Sequence, residues 1–311
     1  MLSPEDLGHR VVVRRIAGVR DNRPIFADAL GELTELGDAH VTVQTRGGLV
    51  RVPKSEIVRA KRVPDRRRLS ATEALEHTAA AGWPAPDTER LGQWLLRAAQ
   101  GWTMRGNSAL AAGDPGRPLA QAIDDVTAWY QARELPPAVT VPLPLRSGLG
   151  ADLTARGWHA LPPVLVQTAP LAPLAALGAP DGEVELAAAP SAAWLAIVAG
   201  RKGALPAAAH HILTAVAKVR FASVYTQSGA PAAVARGVVT GDWLGISLVE
   251  VDPAARRRGL ARRVTRALAG WAAGEGATRA YLQVEEHNTA AVELYRSLGF
   301  TTHHMYRTWL S

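Results

Sequence analysis

The chain has 311 residues, a formal charge of +7 and 48% hydrophobic residues, which is enough for two or three domains with ordinary apolar cores. It contains no cysteine, and this excludes disulfides, thiolate metal sites and cysteine nucleophiles. The N-terminus lacks a basic start followed by an apolar run, and proline breaks the apolar runs elsewhere. We therefore predict a cytoplasmic protein without an export signal or a membrane span.

The N-terminal segment is basic and has a strand-like pattern. Residues 1–70 hold 14 Lys and Arg against 9 acids, whereas the remaining residues hold 21 against 19. Between His9 and Val63, short alternating apolar runs are separated by turn signals, which predicts a small antiparallel β-barrel of five strands over residues 1–64. A charged linker follows over residues 65–69. The basic charge leaves open a contact of this barrel with nucleic acid or with a protein.

From residue 70 onwards, predicted helices alternate with strands, which indicates an α/β region. This region aligns with itself at an offset of 142 residues, so that Trp129 falls on Trp271 and Gly157 falls on Gly299. In each copy a helix ending in Trp leads to a strand and then to a helix closed by glycine, which takes the left-handed conformation at helix ends at low cost. We predict two related halves, over residues 70–178 and 179–311.

The second half carries the stronger chemical signal. A predicted strand, Ile246–Val251, leads through Arg256-x-x-Gly259-x-Ala261 to a predicted helix. A helix start presents unpaired backbone N–H groups and the positive end of the helix dipole, which bind pyrophosphate, and glycine lets the backbone approach closely. Cations are unfavourable at this end of a helix, so Arg256–Arg258 indicate a bound anion. The alternative is a basic, solvated loop.

A second motif follows in the pattern N-x-x-A-x-x-L-Y-x-x-x-G-F, at Asn288, Ala291, Leu294, Tyr295, Gly299 and Phe300. The two motifs, separated by a helix and a strand, resemble the GCN5-related N-acetyltransferase (GNAT) family. The first half lacks both motifs and has Leu153 in place of Tyr295. We predict a mixed α/β fold: a tandem GNAT fold with a degenerate first half, preceded by an SH3-like β-barrel resembling the one found in some actinobacterial acetyltransferases.

The resemblance implies acetyl-coenzyme A (acetyl-CoA) as cosubstrate and assigns roles to individual residues. The backbone of Val249 and Val251 would hold the pantetheine and present an N–H to the thioester oxygen, as an oxyanion hole does. Tyr295 would protonate the departing thiolate; its alternative role is that of a core aromatic residue. The residues that the resemblance assigns to acetyl-CoA are Val249, Glu250, Val251, Arg256, Arg257, Arg258, Gly259, Leu260, Ala261, Arg262 and Asn288.

The motifs do not identify the general base. Two positions that hold Glu in other members of the family are Gln283 and Gly245 here, and neither can accept a proton. Glu285 lies two residues beyond Gln283 and hence on the same strand face, and it is our first candidate. Glu250 is the second, and either residue could instead be a solvated or ion-paired acid.

The predicted reaction is direct attack of a primary amine of a small molecule on acetyl-CoA in a ternary complex. The chain has no cysteine to carry the acyl group, and no Ser/His/Asp arrangement stands out. The first alternative is a protein acetyltransferase, acting on lysines or N-termini, whose barrel docks the target. The second is a non-catalytic, CoA-sensing protein whose barrel binds nucleic acid or a partner. No metal is expected, because His303 and His304 point to opposite faces of a predicted strand.

Overall fold

The computed structural model describes residues 2–21, 23–45, 47–63, 69–145, 147–176 and 183–311. The chain divides into two compact units, Met1–Leu69 and Ser70–Ser311. The predicted linker, apart from Leu69, and the predicted boundary between the two halves, at residues 178 and 179, lie outside the described residues. None of the described helices has the length and apolar character needed to span a membrane.

The first unit is a five-stranded antiparallel sheet with the order β4-β3-β2-β1-β5. Alternate residues such as Val11 and Val13 are buried, as the period of two along a strand requires, and they form a small apolar core with Leu33 and Val43. In the described part of this unit no pairing between β4 and β5 closes the sheet into the predicted barrel. The strands are β1 (Arg10–Arg20), β2 (Arg23–Leu36), β3 (His40–Thr45), β4 (Gly48–Pro53) and β5 (Ile57–Arg62).

The second unit combines helices with a twelve-stranded sheet. Its helices are α1 (Ala71–Ala81), α2 (Leu119–Gln131), α3 (Ser147–Ala155), α4 (Leu171–Ala176), α5 (Ala192–Lys202), α6 (Ala207–Thr214), α7 (Leu260–Gly274) and α8 (Thr289–Ser297). Its strands are β6 (Asp87–Leu91), β7 (Trp94–Ala98), β8 (Ala109–Leu110), β9 (Ala138–Leu143), β10 (His159–Ala160), β11 (Val164–Pro170), β12 (Glu185–Ala187), β13 (Val219–Tyr225), β14 (Pro231–Thr240), β15 (Trp243–Val251), β16 (Arg279–Glu285) and β17 (Thr301–Leu310).

The sheet of the second unit is continuous across the two sequence halves. Its order is β12-β13-β14-β15-β16-β11-β17-β9-β8-β7-β6, with β10 paired to β17. Strand β11, from the first half, lies between β16 and β17 of the second half. In return β17, the last strand of the chain, pairs with β9 of the first half. The two halves therefore complete each other's sheet and bury a shared core.

The segments related by the 142-residue offset have the same element order, helix, strand, helix and strand. The first runs from α2 to β10 and the second from α7 to β17. Gly157 and Gly299 follow the second helix of each segment, and both have φ +87°. In each segment the strand after the first helix forms a parallel pair, β8 with β9 and β15 with β16.

The N-termini of helices α1 and α7 are capped in different ways. Helix α1 starts with a capping box, in which Ser70 and Glu73 each satisfy the other's backbone N–H. Helix α7 has Gly259 at its N-cap and no side-chain cap. It is anchored instead by an apolar face, including Val264 and Leu268, that packs against the sheet.

Candidate active site

A cavity opens where β15 and β16 stop pairing. Their parallel register ends at Ile246 and Leu282, although β15 continues to Val251 and β16 to Glu285. A cavity of about 330 Å³ is lined on one side by Ser247–Glu250 and on the other by residues that include Gln283–Glu285. The edge of β15 beyond Ile246 is therefore free of a β16 partner and faces open space.

A β-bulge shapes the β15 side of this cavity. Ser247 pairs with Arg236 and Glu250 pairs with Val234, so Leu248 and Val249 together oppose a single residue of β14. Leu248 has φ +52°, a conformation that costs a non-glycine residue about 1–3 kcal/mol. A bulge re-aims the backbone groups of its strand, and this one lies at the mouth of the cavity.

The loop before α7 is exposed and basic. Arg256, Arg257 and Arg258 are all exposed, and among the described residues none forms an ion pair with them. Gly259 has φ +73°, and a Cβ there would meet nothing within 4 Å. The side chain of Arg262 donates to Ser297 on α8 at 2.8 Å. The uncapped first turn of α7 and the three unpaired guanidinium groups fit a pyrophosphate.

Tyr295 and Asn288, both on the second motif, line the cavity. Asn288 caps α8 by accepting from the backbone N–H of Ala291 at 3.3 Å. Tyr295 is 7% exposed and packs edge-on against Phe300, and no described residue hydrogen-bonds its hydroxyl. Burial, together with the nearby charge of Glu250, raises the pKa of Tyr295, so this phenol stays protonated at neutral pH.

The two carboxylates predicted as candidate bases have different surroundings. Glu250 lines the cavity and pairs with Arg201 at 3.1 Å, and its side chain is 18% exposed. Burial raises the pKa of Glu250, opposed by Arg201. Glu285 also lines the cavity, but its side chain is 59% exposed and lies 3.2 Å from His287. Both residues remain candidates for the general base because they line the cavity, and of the two only Glu250 is shielded from water.

The surroundings of Gln283 and Gly245, the two positions at which the family resemblance places a Glu, explain the residues found there. Gln283 Oε1 accepts from Arg105 at 2.5 Å, and Arg105 stacks on Trp83 with 4.2 Å between its guanidinium carbon and the ring centroid. A Cβ on Gly245 would lie 2.4 Å from the hydroxyl of Tyr281, so no side chain fits there. The first half therefore contributes Arg105 and Trp83 to the wall of the cavity.

A buried carboxylate that the sequence analysis did not identify also lines the cavity. Glu76 lies on α1 and its Oε1 is 2.8 Å from Nε2 of His304 on β17. The signal in the sequence is weak, because Glu76 belongs to neither motif and its partner is 228 residues away. In the described part of the chain, no group of three His, Asp or Glu side chains is placed to hold a metal ion.

The diverging strands, the uncapped helix start beside them and the buried tyrosine define a GNAT-type acyltransferase. Residues 70–309 match the family model described as "Probable histone acetyltransferase Rv0428c C-terminal". The chain belongs to this family of GNAT enzymes. Over 98% of its length it is 35% identical to the probable histone acetyltransferase Rv0428c of Mycobacterium tuberculosis, of which the match covers 95%.

Two further likenesses agree with this family. The chain is 28% identical to the uncharacterized N-acetyltransferase YobR of Bacillus subtilis, over 75% of this chain and 96% of that protein. A solved GCN5-related N-acetyltransferase from Kribbella flavida matches with a TM-score of 0.60 at 15% identity, over 78% of this chain and 96% of that one. The chain is an acetyltransferase with the mixed α/β GNAT fold, and enzymes of this fold generally use acetyl-CoA.

Proposed function

We propose that this enzyme transfers the acetyl group of acetyl-CoA to a primary amine of a small molecule, by direct attack in a ternary complex. The observation that carries this proposal is the cavity between β15 and β16, which residues of both halves line. Residues of helix α1 and the turn with Arg105 line this cavity. The first half, which we propose to be a degenerate GNAT copy, thus walls the acceptor side and favours a pocket over an open peptide groove.

The residues of the second half fit acetyl-CoA. The first turn of α7 from Gly259 to Arg262, with Arg256, Arg257 and Arg258 before it, is proposed to bind the pyrophosphate through backbone N–H groups and charge. The free edge of β15 at Val249 and Val251 is proposed to pair with the pantetheine. Asn288, whose amide N–H₂ has no described acceptor, is proposed to contact the same arm.

The acetyl transfer needs stabilisation of an oxyanion and a proton for the leaving sulfur. The bulged backbone at Val249 is proposed to donate its N–H to the thioester oxygen, which is effective because the dipole is fixed before charge develops. Tyr295 is proposed to protonate the departing sulfur. Burial raises the pKa of Tyr295, which keeps its proton in place at neutral pH, and the same desolvation destabilises a thiolate formed beside it.

The acceptor amine arrives as an ammonium ion and must lose a proton before it attacks. Within the described residues, the carboxylates that line the cavity are Glu76, Glu250 and Glu285. Each offers a negative charge to a cationic amine, in a cavity that is also lined by the basic side chains of Arg97, Arg105, Arg201 and Lys202. The aromatic ring of Tyr306 in the same wall suits the carbon skeleton of a small amine.

The second candidate is a protein acetyltransferase. It is favoured by the name of the Mycobacterium tuberculosis relative, a probable histone acetyltransferase. The experiment that separates the candidates measures the release of free thiol from acetyl-CoA with small amines and with lysine-containing or N-terminal peptides. We expect kcat/KM to be higher for a small amine; a preference for peptides would support the second candidate, and binding without turnover would indicate a CoA-sensing protein.

The assignment of the α7 loop predicts the effect of Gly259→Leu. The new side chain would point into the space proposed for the pyrophosphate and should weaken acetyl-CoA binding by about 10- to 100-fold, the loss of one or two charge-assisted hydrogen bonds. Calorimetric titration measures this. Gly276→Leu is the matched control, because Gly276 has φ +90° and open space around it at the other end of α7. Both variants carry a similar left-handed strain of about 1–2 kcal/mol, and equal acetyl-CoA affinities would contradict the assignment.

We also propose that the first unit is an SH3-like module that contacts nucleic acid or a protein partner. Its edge strand β5 exposes Arg59, Lys61 and Arg62. A chain of residues 70–311 should retain acetyl transfer but lose the binding of a duplex DNA oligonucleotide that the full chain retains. The affinity should fall steeply with salt, because phosphate contacts release counterions. Equal DNA binding by the two chains, measured by fluorescence anisotropy, would place the contact outside the first unit.

A further inference from the structure

Glu76 brings a buried carboxylate into the cavity from the first half of the unit. Its side chain is only 5% exposed, and it lines the cavity beside Trp83 and Arg97. A buried carboxylate must be paired or hydrogen-bonded, because its desolvation is costly. Glu76 meets this need through His304, and it still faces the open volume of the cavity. It is therefore placed to meet a ligand.

His304 connects Glu76 to the surface. The side chain of His304 is 2% exposed, and its Nε2 is 2.8 Å from Glu76 Oε1. Its other ring nitrogen, Nδ1, is 2.9 Å from Nδ1 of His303, and His303 is exposed. The three side chains form a continuous hydrogen-bonded path from the cavity through β17 to solvent. Imidazole can accept a proton on one nitrogen and release one from the other.

The groups on the neighbouring elements include two cations, Arg97 and Arg105, whose charges act together with that of Glu76 on Tyr306. Arg97 on β7 is fully buried, and although burial lowers the pKa of its guanidinium, the charge of Glu76 acts in the opposite direction. Burial raises the pKa of Tyr281 on β16 and of Tyr306 on β17 to about 12 each, so both are neutral. Burial lowers the pKa of His77, the next residue on α1, which keeps it neutral as well.

The other two carboxylates of the cavity are less suited to receive a proton from the acceptor. Glu250 already pairs with Arg201 and lies close enough to Tyr295 to raise its pKa, which places it beside the leaving-group acid. Glu285 is largely exposed and lies next to His287. Glu76 is the most buried of the three and the one joined to a hydrogen-bonded path to solvent.

We propose that Glu76 binds the ammonium group of the acceptor and takes its proton, and that His304 and His303 carry this proton to solvent. This inference rests on the proposed function, because the proton is the one that an amine acceptor must lose. One N–H bond of the ammonium breaks, its electron pair stays on nitrogen, and an O–H bond forms on Glu76. Exchange of His304 to the tautomer that carries its hydrogen on Nδ1 frees Nε2, which then accepts the carboxyl proton of Glu76. His304 releases its Nδ1 proton to Nδ1 of His303, which releases a proton from Nε2 to water, and tautomer exchange restores both rings.

The test of the binding step needs no turnover. We expect n-propylammonium to bind the full-length protein in the presence of CoA, and Glu76→Gln to weaken this binding at least tenfold in a calorimetric or NMR titration. Glutamine keeps the size of the side chain and a hydrogen bond to His304, so the fold should be retained. Glu73→Gln is the matched control, because Glu73 is a buried carboxylate on the same helix and glutamine preserves its capping box. Equal binding by wild type and Glu76→Gln, or no binding by wild type, would overturn the inference.

The relay is tested by turnover with the best amine of the panel. Glu76→Gln should lower kcat by about 10²–10⁴, the usual contribution of a general base, with the affinity for acetyl-CoA unchanged. His304→Gln should lower kcat while n-propylammonium binding persists, because glutamine still donates to Glu76 but cannot relay a proton. Loss of binding and turnover together in His304→Gln would assign it a purely structural role. If no amine is acetylated by wild type but n-propylammonium binding depends on Glu76, the proposed function fails and the amine site stands.

Discussion

A fragment of residues 179–311 should fail to fold, although it contains all of the residues that the GNAT motifs assign to acetyl-CoA. Strand β11 lies outside this fragment, and it is the strand that joins β16 to β17. Without it the two strands have unpaired edges, which promote aggregation. The buried side chains of Leu165 and Val166 on β11 stabilise the fold by roughly 3–6 kcal/mol together, a large part of the ~5–15 kcal/mol that holds a typical domain.

The matched comparison is a chain of residues 70–311, which corresponds to the second compact unit. It keeps β11, and it also keeps β9, the partner of β17 at its other edge. We expect this longer chain to be monodisperse, to unfold cooperatively in a thermal melt and to bind acetyl-CoA. A folded fragment of residues 179–311 that binds acetyl-CoA with the affinity of the longer chain would show that the strand exchange is dispensable.

Tyr295→Phe should lower kcat by about 10²–10⁴, the range expected for the loss of a general acid. Phenylalanine keeps the ring that packs against Phe300, so the thermal stability and the acetyl-CoA affinity should change little. The hydroxyl has no hydrogen-bond partner among the described residues, and its removal therefore strands no buried polar group. Steady-state thiol release with saturating acetyl-CoA measures the effect.

The control for this prediction is Tyr225→Phe, which removes an exposed tyrosine hydroxyl from β13 and should leave kcat unchanged. The pH profile supplies a second check. Because the pKa of Tyr295 is raised, the acid is present below this pKa and is lost only as the pH rises through it, so wild type should keep its leaving-group acid through pH 10. A kcat for Tyr295→Phe within about twofold of wild type would contradict the role of Tyr295.

Local sequence patterns predicted much of the secondary structure of the second half. The predicted strand Ile246–Val251 lies within β15, and the helix predicted after the glycine motif is α7, which begins at Leu260. Such elements follow from short-range signals: a run of apolar residues, a glycine at φ +73° and an amphipathic helix. The mixed α/β GNAT-like fold predicted from the two motifs is confirmed by the family match and by the solved relatives. The assignments of single residues to acetyl-CoA and to catalysis remain predictions.

The contacts on the proposed acceptor side of the cavity could not be predicted from local sequence patterns. Arg105 and Gln283 are 178 residues apart in the chain and form a hydrogen bond. Glu76 and His304 are 228 residues apart and share another. Neither pair belongs to a motif, and in isolation each residue is an ordinary polar side chain on a helix, turn or strand. Only the packing of α1 and β17 against one cavity gives them a common environment.

The sequence by itself identified the family and indicated acetyl-CoA as cosubstrate, because the two motifs specify backbone conformations through a few adjacent residues. The proposed position of the cofactor loop rests on the same local signals. The tertiary structure decided how the two halves combine. Strands β11 and β17 each complete the sheet of the other half, and long-range pairing of this kind depends on the whole fold rather than on local propensity. It also decided which carboxylate is buried in the cavity, since burial of Glu76 arises from neighbours that only the folded chain brings to α1.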